Sequence, residues 1–291
     1  MSRRIDLAAV LLALTGPLRL RQVAGPGPGT IDAAGGDAAV TDIVGPCLPR
    51  ARQPVQVASS GPVPTSFSAR LRLLVLGEDA PAPRELPAAT TVCRSPATAG
   101  ELLDAFGLAL APELAEPVVQ HGVLVRMHGC GILVTGAAGA GKGLLALGLI
   151  DRGATLVADD AVETYRIGSE RVGGICPEML RGFLEVRPLG MLDIAAQYGP
   201  ERVAPACPLD LHVELDPEAR APVTSGDRLA GPLAVGALLE VPVPVLRLRS
   251  GAGAALLAAA AARRLQLERL GKAPADALRR RHRRHMRGGR G

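Results

Sequence analysis

The chain has 291 residues, of which 48% are hydrophobic and only 2% aromatic, and it carries a formal net charge of +5. Seven arginines fall in the last thirteen residues, so the remainder is slightly acidic, and with few aromatic side chains to stack on bases it is not expected to bind nucleic acid. No apolar run reaches the about 20 residues that a membrane-spanning helix needs, and a soluble protein is expected.

The length favours two domains, and we place the first at residues 1–115. Pro and Gly clusters divide this part into short segments typical of a small α/β domain, with strands at 18–23 and 71–76. A helix follows, because Thr98 precedes Glu101 by three residues and forms a capping box. The five cysteines stand singly without a CxxC pair, which favours a reduced, cytoplasmic setting.

The second domain is placed at residues 116–272, where strands, turns and helices alternate as in nucleotide-binding α/β folds. Strands are predicted at 123–127, 131–135, 154–158, 209–215 and 238–248, and helices at 142–152 and 252–270. Residues 273–291 form a basic tail that we expect to be disordered. A solvated charge run is the simplest interpretation of this tail, and contact with acidic lipid or nucleic acid is the alternative.

A glycine-rich turn between an apolar strand and a helix predicts a phosphate-binding loop. Its glycines let main-chain N–H groups surround a phosphate, the helix N-terminus adds positive charge, and a lysine reaches the outer phosphates. The predicted nucleotide-binding residues are Gly136, Ala137, Ala138, Gly139, Ala140, Gly141, Lys142 and Gly143.

The lysine of this loop is unusual for the chain. Only Lys142 and Lys272 among 33 basic residues are lysines, so a lysine at this position is unlikely to be accidental. An ordinary strand-to-helix turn with a surface lysine is the alternative. Gly143 stands where the pattern has a serine or threonine whose hydroxyl binds Mg²⁺, which predicts a weakened metal site that a serine would improve.

Three acidic residues are candidates for phosphoryl-transfer chemistry. Asp159 and Asp160 follow the strand predicted at 154–158, and they would lie beside the loop if the two strands were neighbours in a parallel sheet. One carboxylate could hold Mg²⁺ while the other accepts a proton from an attacking hydroxyl. Glu185 is a further candidate metal ligand. The structural alternatives are that Asp159 and Asp160 only cap a turn and that Glu185 is a solvent-facing strand residue.

The histidines do not indicate a zinc site, because none of them has zinc-ligand spacing. By spacing alone, His121 suits a core or loop position.

Four ordered segments together resemble the catalytic domain of HPr kinase/phosphorylase. They are His121-Gly-Val-Leu-Val, the glycine-rich loop, Leu156-Val-Ala-Asp-Asp-Ala-Val-Glu163, and Leu184-Glu-Val-Arg-Pro-Leu-Gly-Met-Leu-Asp193. The resemblance covers about residues 118–271, and the first domain is only faintly similar, as a degenerate version of the family's N-terminal domain. It implies a P-loop kinase-type fold that transfers phosphate from ATP, with Mg²⁺, to a serine of the phosphocarrier HPr or an HPr-like protein, and that commonly forms hexamers.

The resemblance also implies residue roles. His121 matches an active-site histidine, Lys142 the loop lysine, and Asp160 the carboxylate that deprotonates the serine. Glu185 matches a Mg²⁺ ligand, with Asp159 beside it, and Arg228 matches an arginine that stabilises the transferred phosphate.

The chain departs from the family at Gly143, at Pro188, and in the segment 249–253. The changed segment puts the reverse, phosphorolytic reaction in question. The leading hypothesis is an ATP-dependent serine kinase. A nucleotide-binding regulator with weakened or lost catalysis and a small-molecule P-loop kinase or ATPase are the alternatives.

Overall fold

The computed structural model describes residues 4–24, 30–32, 40–42, 55–58, 71, 73–81, 83–88, 90–167, 170–218 and 233–288. Two compact units are present. The first comprises residues 1–117 together with 165–171, and the second comprises residues 118–164 together with 172–291. The mixed α/β class predicted from the sequence is confirmed in both units.

The first unit is built on a small, mainly parallel sheet. Its elements are β1 (Arg4–Asp6), α1 (Leu7–Leu18), β2 (Arg21–Ala24), β3 (Thr30–Asp32), β4 (Val40–Asp42), β5 (Val55–Ala58), β6 (Leu73–Gly77), β7 (Thr91–Ser95) and α2 (Ala99–Leu114). The five-stranded sheet has the order β2-β7-β6-β5-β4, with β2 antiparallel to β7 and the other pairs parallel. Helix α2 buries Leu102, Phe106 and Leu110 in a core shared with β6 and β7.

The capping box predicted for this helix is present. The Thr98 hydroxyl accepts a hydrogen bond from the N–H of Glu101, and the Glu101 carboxylate accepts one from the N–H of Thr98. The Thr98 hydroxyl also donates a hydrogen bond to the Glu101 carboxylate, and this bond, together with the one from the Thr98 N–H, holds the pKa of Glu101 below its usual value. Local sequence therefore fixes where α2 begins.

The second unit contains the predicted strand, loop and helix within a larger sheet. Its strands and helices are β8 (Val118–His121), β9 (Val123–Met127), β10 (Cys130–Gly136), α3 (Lys142–Ile150), β11 (Thr155–Ala158), β12 (Ala161–Ile167), β13 (Arg171–Ile175), β14 (Phe183–Val186), β15 (Gly190–Asp193), α4 (Ile194–Tyr198), β16 (Ala206–Pro208), β17 (Leu211–Leu215), β18 (Ala234–Leu238), β19 (Val241–Leu248), α5 (Ala254–Arg269) and α6 (Pro274–Gly288). The end of β12 and the first residue of β13 fall within residues 165–171, which are counted with the first unit. Short 3₁₀ turns lie at Glu178–Leu180 and Pro200–Arg202.

The central six-stranded sheet has the order β11-β9-β10-β17-β19-β18. β10, β17 and β19 are parallel, and β11 runs in the same direction because β9 is antiparallel to both β10 and β11. One face packs against α3 and α5, where Leu145, Leu149 and Ala258 are buried. The opposite face packs on a second core that includes Leu133, Val157 and Val172. A four-stranded sheet, β16-β13-β12-β8, and the β14–β15 hairpin complete the unit.

Two sequence predictions about this unit are wrong. The strand predicted at 238–248 is present only over 241–248, because the chain reverses at Leu239 and Glu240, which both have positive φ, so that β18 and β19 form a hairpin. Leu-Glu lacks the glycine or asparagine that marks such a turn in sequence. The basic segment is also not disordered over its described length, because Pro274–Gly288 forms α6. In the part of the chain that the structure describes, no helix has both the length and the apolar character needed to cross a membrane.

Candidate active site

The glycine-rich loop joins β10 to the first turn of α3. Gly139 and Gly141 have φ values of 79° and 89°, a region that side chains other than glycine rarely adopt. The Lys142 Nζ donates hydrogen bonds to the carbonyl oxygens of Gly136 and Ala137, at 3.0 and 3.3 Å. The lysine therefore folds back over the loop, where its charge lies beside the helix N-terminus.

A hydrogen bond from the segment that follows β19 also stabilises this loop. The hydroxyl of Ser250 donates a hydrogen bond to the carbonyl oxygen of Ala140 at 2.6 Å, and Ala140 itself is buried. Ser250 lies in the segment 249–253, where the chain departs from the family that it resembles. No local pattern indicated its contact with the loop, because the contact joins segments 110 residues apart.

Asp159 and Asp160 lie at the cleft beside the loop, although the two strands that lead to them and to the loop are not neighbours in the sheet. The strand β11 is not a neighbour of β10, since β9 lies between them. Both strands nevertheless run in the same direction, so their carboxyl ends meet at one edge of the sheet, where α/β folds bind ligands. Asp160 has a φ of 66°, a left-handed conformation that aspartate tolerates better than most residues.

His121 is placed against Asp160 by strand pairing. In the antiparallel pair of β8 and β12, His121 lies opposite Ala161, the residue that follows Asp160. The His121 Nδ1 is 3.0 Å from the Asp160 carboxylate and 3.1 Å from its carbonyl oxygen. Both side chains are exposed to the cleft, so the pair can contact a ligand.

Glu185 lies on the outward face of the β14–β15 hairpin. Its neighbours Leu184 and Val186 point the other way and are buried in the core, which fixes the face that Glu185 presents. The Asp159 carboxylate accepts a hydrogen bond from the N–H of Glu185 at 2.7 Å. Burial raises the pKa of Asp159, and the bonds from the N–H groups of Glu185 and Asp160 oppose this rise.

Arg187 is a cleft residue that the sequence reasoning did not select. Its Nε is 3.3 Å from the Glu185 carboxylate, and its side chain is exposed. Arg187 follows the last residue of β14, so strand spacing did not predict its position beside Glu185. The pair places a cation and an anion side by side at the cleft.

These groups enclose a cleft of about 420 Å³, within the usual range for a small-molecule site. It is lined by His121, Ala138, Gly139, Gly141, Lys142, Gly143, Leu144, Asp159, Asp160, Glu185 and Arg187. The other predicted loop residues, Gly136, Ala137 and Ala140, belong to the loop but do not line this cleft. Arg228 lies outside the described residues.

The donor set suits a cation that shares its coordination with phosphates. Among the described residues no group of three His, Cys, Asp or Glu side chains converges as a metal cage. Mg²⁺ is commonly held by one or two carboxylates, with water and substrate phosphates completing its shell. Asp159, Asp160 and Glu185 line the same cleft as the loop and meet that requirement.

A strand, a glycine-rich loop closed by lysine, and a helix at the carboxyl edge of an α/β sheet are typical of P-loop domains. The family model of the HPr Serine kinase C-terminal domain matches residues 112–282. The chain belongs to this family.

Relatives agree with the family model. The HPr kinase/phosphorylase of Stenotrophomonas maltophilia strain R551-3 is 39% identical over 181 residues, covering 60% of this chain and 57% of that protein. The HPr kinase/phosphorylase of Nitrosomonas europaea is 38% identical over 165 residues, covering 55% and 51%. The chain therefore spans just over half the length of these relatives. A solved structure, the Hpr(Ser) kinase/phosphatase from Coxiella burnetii, shares 26% identity over 57% of this chain and 98% of that chain, with a TM-score of 0.48.

Proposed function

We propose that this protein is an ATP-dependent serine kinase that phosphorylates HPr or an HPr-like phosphocarrier. The observation that carries the proposal is the convergence of Lys142, the glycine-rich loop, Asp160 and His121 on one cleft. Family membership supports the same function. Phosphoryl transfer depends on positioning and on charge stabilisation, and this cleft offers an anion-binding loop opposite a potential proton acceptor.

Each group has a defined part in the proposed reaction. The loop N–H groups and Lys142 hold the phosphates of ATP. The serine oxygen forms a bond to the γ-phosphorus while the bond from that phosphorus to the bridging β,γ-oxygen breaks and ADP leaves. The serine proton passes to the Asp160 carboxylate, which His121 orients through the 3.0 Å contact. The reverse, phosphorolytic reaction stays in question because of the changed segment 249–253, and in that direction Asp160 would return the proton to the serine oxygen.

Mg²⁺ would neutralise charge on the phosphates when bound. Glu185 faces the cleft and is the residue proposed to hold the ion, with Asp159 next to it. Arg228 stays a proposed stabiliser of the transferred phosphate, by resemblance. A hexameric assembly and a cytoplasmic location are proposed on the same basis.

One observation favours a second function. Gly143 lines the cleft where the loop pattern has a metal-binding hydroxyl, and the segment 249–253 also departs from the family. A regulator that binds ATP but transfers phosphate poorly is therefore the second candidate. Such a protein would bind the nucleotide through Lys142 without forming phospho-HPr.

Transfer of label from γ-labelled ATP to purified HPr distinguishes the two functions. We expect labelled HPr with the wild type, and none with Lys142→Ala. The matched control is Lys272→Ala, which removes the only other lysine and should leave transfer unchanged. ATP binding without any labelled HPr would refute the kinase and support the regulator.

A further inference from the structure

Gly143 is in contact with the main chain of the hairpin strand β14. It is the second residue of α3, and a Cβ placed on it would lie 2.0 Å from the Glu185 carbonyl oxygen and 3.2 Å from its carbonyl carbon. The obstacle is strand backbone rather than a flexible side chain. The Glu185 main chain therefore fills the space that any side chain at position 143 would need.

The same peptide segment is held from its other side by Asp159. The Asp159 carboxylate accepts the Glu185 N–H at 2.7 Å, and the flanking Leu184 and Val186 are 0% and 1% exposed. Glu185 is thus fixed at its N–H, at its carbonyl and through both neighbours. Its carboxylate alone remains directed to the cleft.

We propose that Gly143 and Asp159 are positioning residues that hold the Glu185 main chain against the phosphate-binding loop and so aim its carboxylate at the cation bound with the nucleotide. The inference rests on the proposed function, since it requires a nucleotide with its cation in this cleft. It changes the interpretation of Gly143, because a serine here displaces β14 instead of restoring a metal ligand. It also means that Asp159 acts as a hydrogen-bond acceptor, for which its charge is dispensable.

The first test compares Gly143→Ser with Gly100→Ser in the full chain. Gly100 is likewise the second residue of its helix, α2, but a Cβ there meets only the tip of the Arg171 side chain at 3.7 Å. The probe is Mn²⁺, titrated against the protein saturated with a non-hydrolysable ATP analogue and followed by electron paramagnetic resonance. We expect Gly143→Ser to weaken Mn²⁺ binding about 10- to 100-fold, as for other residues that orient a metal ligand. Gly100→Ser should match the wild type.

The second test compares Asp159→Asn with Asp159→Ala. The asparagine amide oxygen can still accept the Glu185 N–H, so we expect Asp159→Asn to bind Mn²⁺ more tightly than Asp159→Ala, which should lose about 10- to 100-fold. Equal loss in both variants would overturn the positioning role and make Asp159 a charged ligand. Thermal unfolding of every variant tests whether the fold persists.

Nucleotide binding measured with EDTA separates this inference from the proposed function. Wild-type protein that fails to bind the ATP analogue refutes both. Wild-type protein that binds analogue and Mn²⁺, together with a Gly143→Ser variant that binds Mn²⁺ equally well or better, refutes the positioning role alone. Loss of Mn²⁺ binding with retained analogue binding in Gly143→Ser supports it.

Discussion

Lys142→Met should lower the affinity for ATP by about 30-fold. A unit charge about 4 Å from a phosphate oxygen contributes about 4 kcal/mol at the effective dielectric constant of a protein surface. Lys142 donates hydrogen bonds to the Gly136 and Ala137 carbonyls in the structure, and releasing these two bonds costs about 1 kcal/mol each. The remaining difference of about 2 kcal/mol corresponds to about 30-fold in Kd.

Two measurements check this value. Isothermal titration with ATP gives the affinities of the wild type, Lys142→Met and the control Lys272→Met. An amine-reactive label followed by mass spectrometry then reports on both lysines in one sample. ATP should protect Lys142 from the label and leave Lys272 reactive. Lys142→Arg keeps the charge but not the compact ammonium, so we expect it to bind ATP less tightly than the wild type.

Two results would refute the reasoning. One is Lys142→Met binding ATP as tightly as the wild type, which would mean that the loop does not hold the nucleotide. The other is equal protection of both lysines, which would trace the effect to a general change in the protein. Loss of affinity in Lys272→Met of the same size would count against the specific role of the loop in the same way.

Three further predictions concern the site and the fold. Asp160→Asn should slow transfer to HPr by about 10²- to 10⁴-fold while ATP affinity is kept, because the base is lost and the loop is intact; unchanged single-turnover rates would contradict this. Burial lowers the pKa of His212 from 6.5, so the unfolded chain takes up the proton first and stability falls as the pH drops below about 6.5. Urea unfolding of His212→Asn should show a flatter pH dependence, and an unaltered slope would exclude His212 as its source. Thr98→Ala removes the capping box and should lower the free energy of unfolding by about 1 kcal/mol, measured by the same urea titration, and an unchanged free energy of unfolding would contradict this.

Local features of the chain were predicted well from the sequence. The capping box at Thr98 and Glu101 lies within one helical turn, and it forms as expected. The bounds of β9 were predicted in full, and those of α3 differ only at its end, because alternating and helical apolar patterns report burial directly. The loop was identified because its glycines, its lysine and the flanking strand and helix are contiguous.

Tertiary contacts determine the strand order of the central sheet and the site residues that the sequence did not predict. Nothing local shows that β9 separates β10 from β11, yet this arrangement still brings Asp160 to the loop because the strands share a direction. Ser250 contacts the loop and Arg187 lines the cleft, and neither position is indicated by a local pattern.

The sequence by itself determined that a phosphate-binding loop follows an apolar strand, because a lysine and glycines at this spacing are a local requirement of that chemistry. It presented Gly143 as a missing hydroxyl. Only the tertiary structure showed that the Glu185 main chain occupies that space and that Asp159 holds the same peptide segment. The physical reason is that a glycine can be identified in the sequence, but the distant main chain that packs against it cannot, because that contact forms only when the two segments come together in the fold.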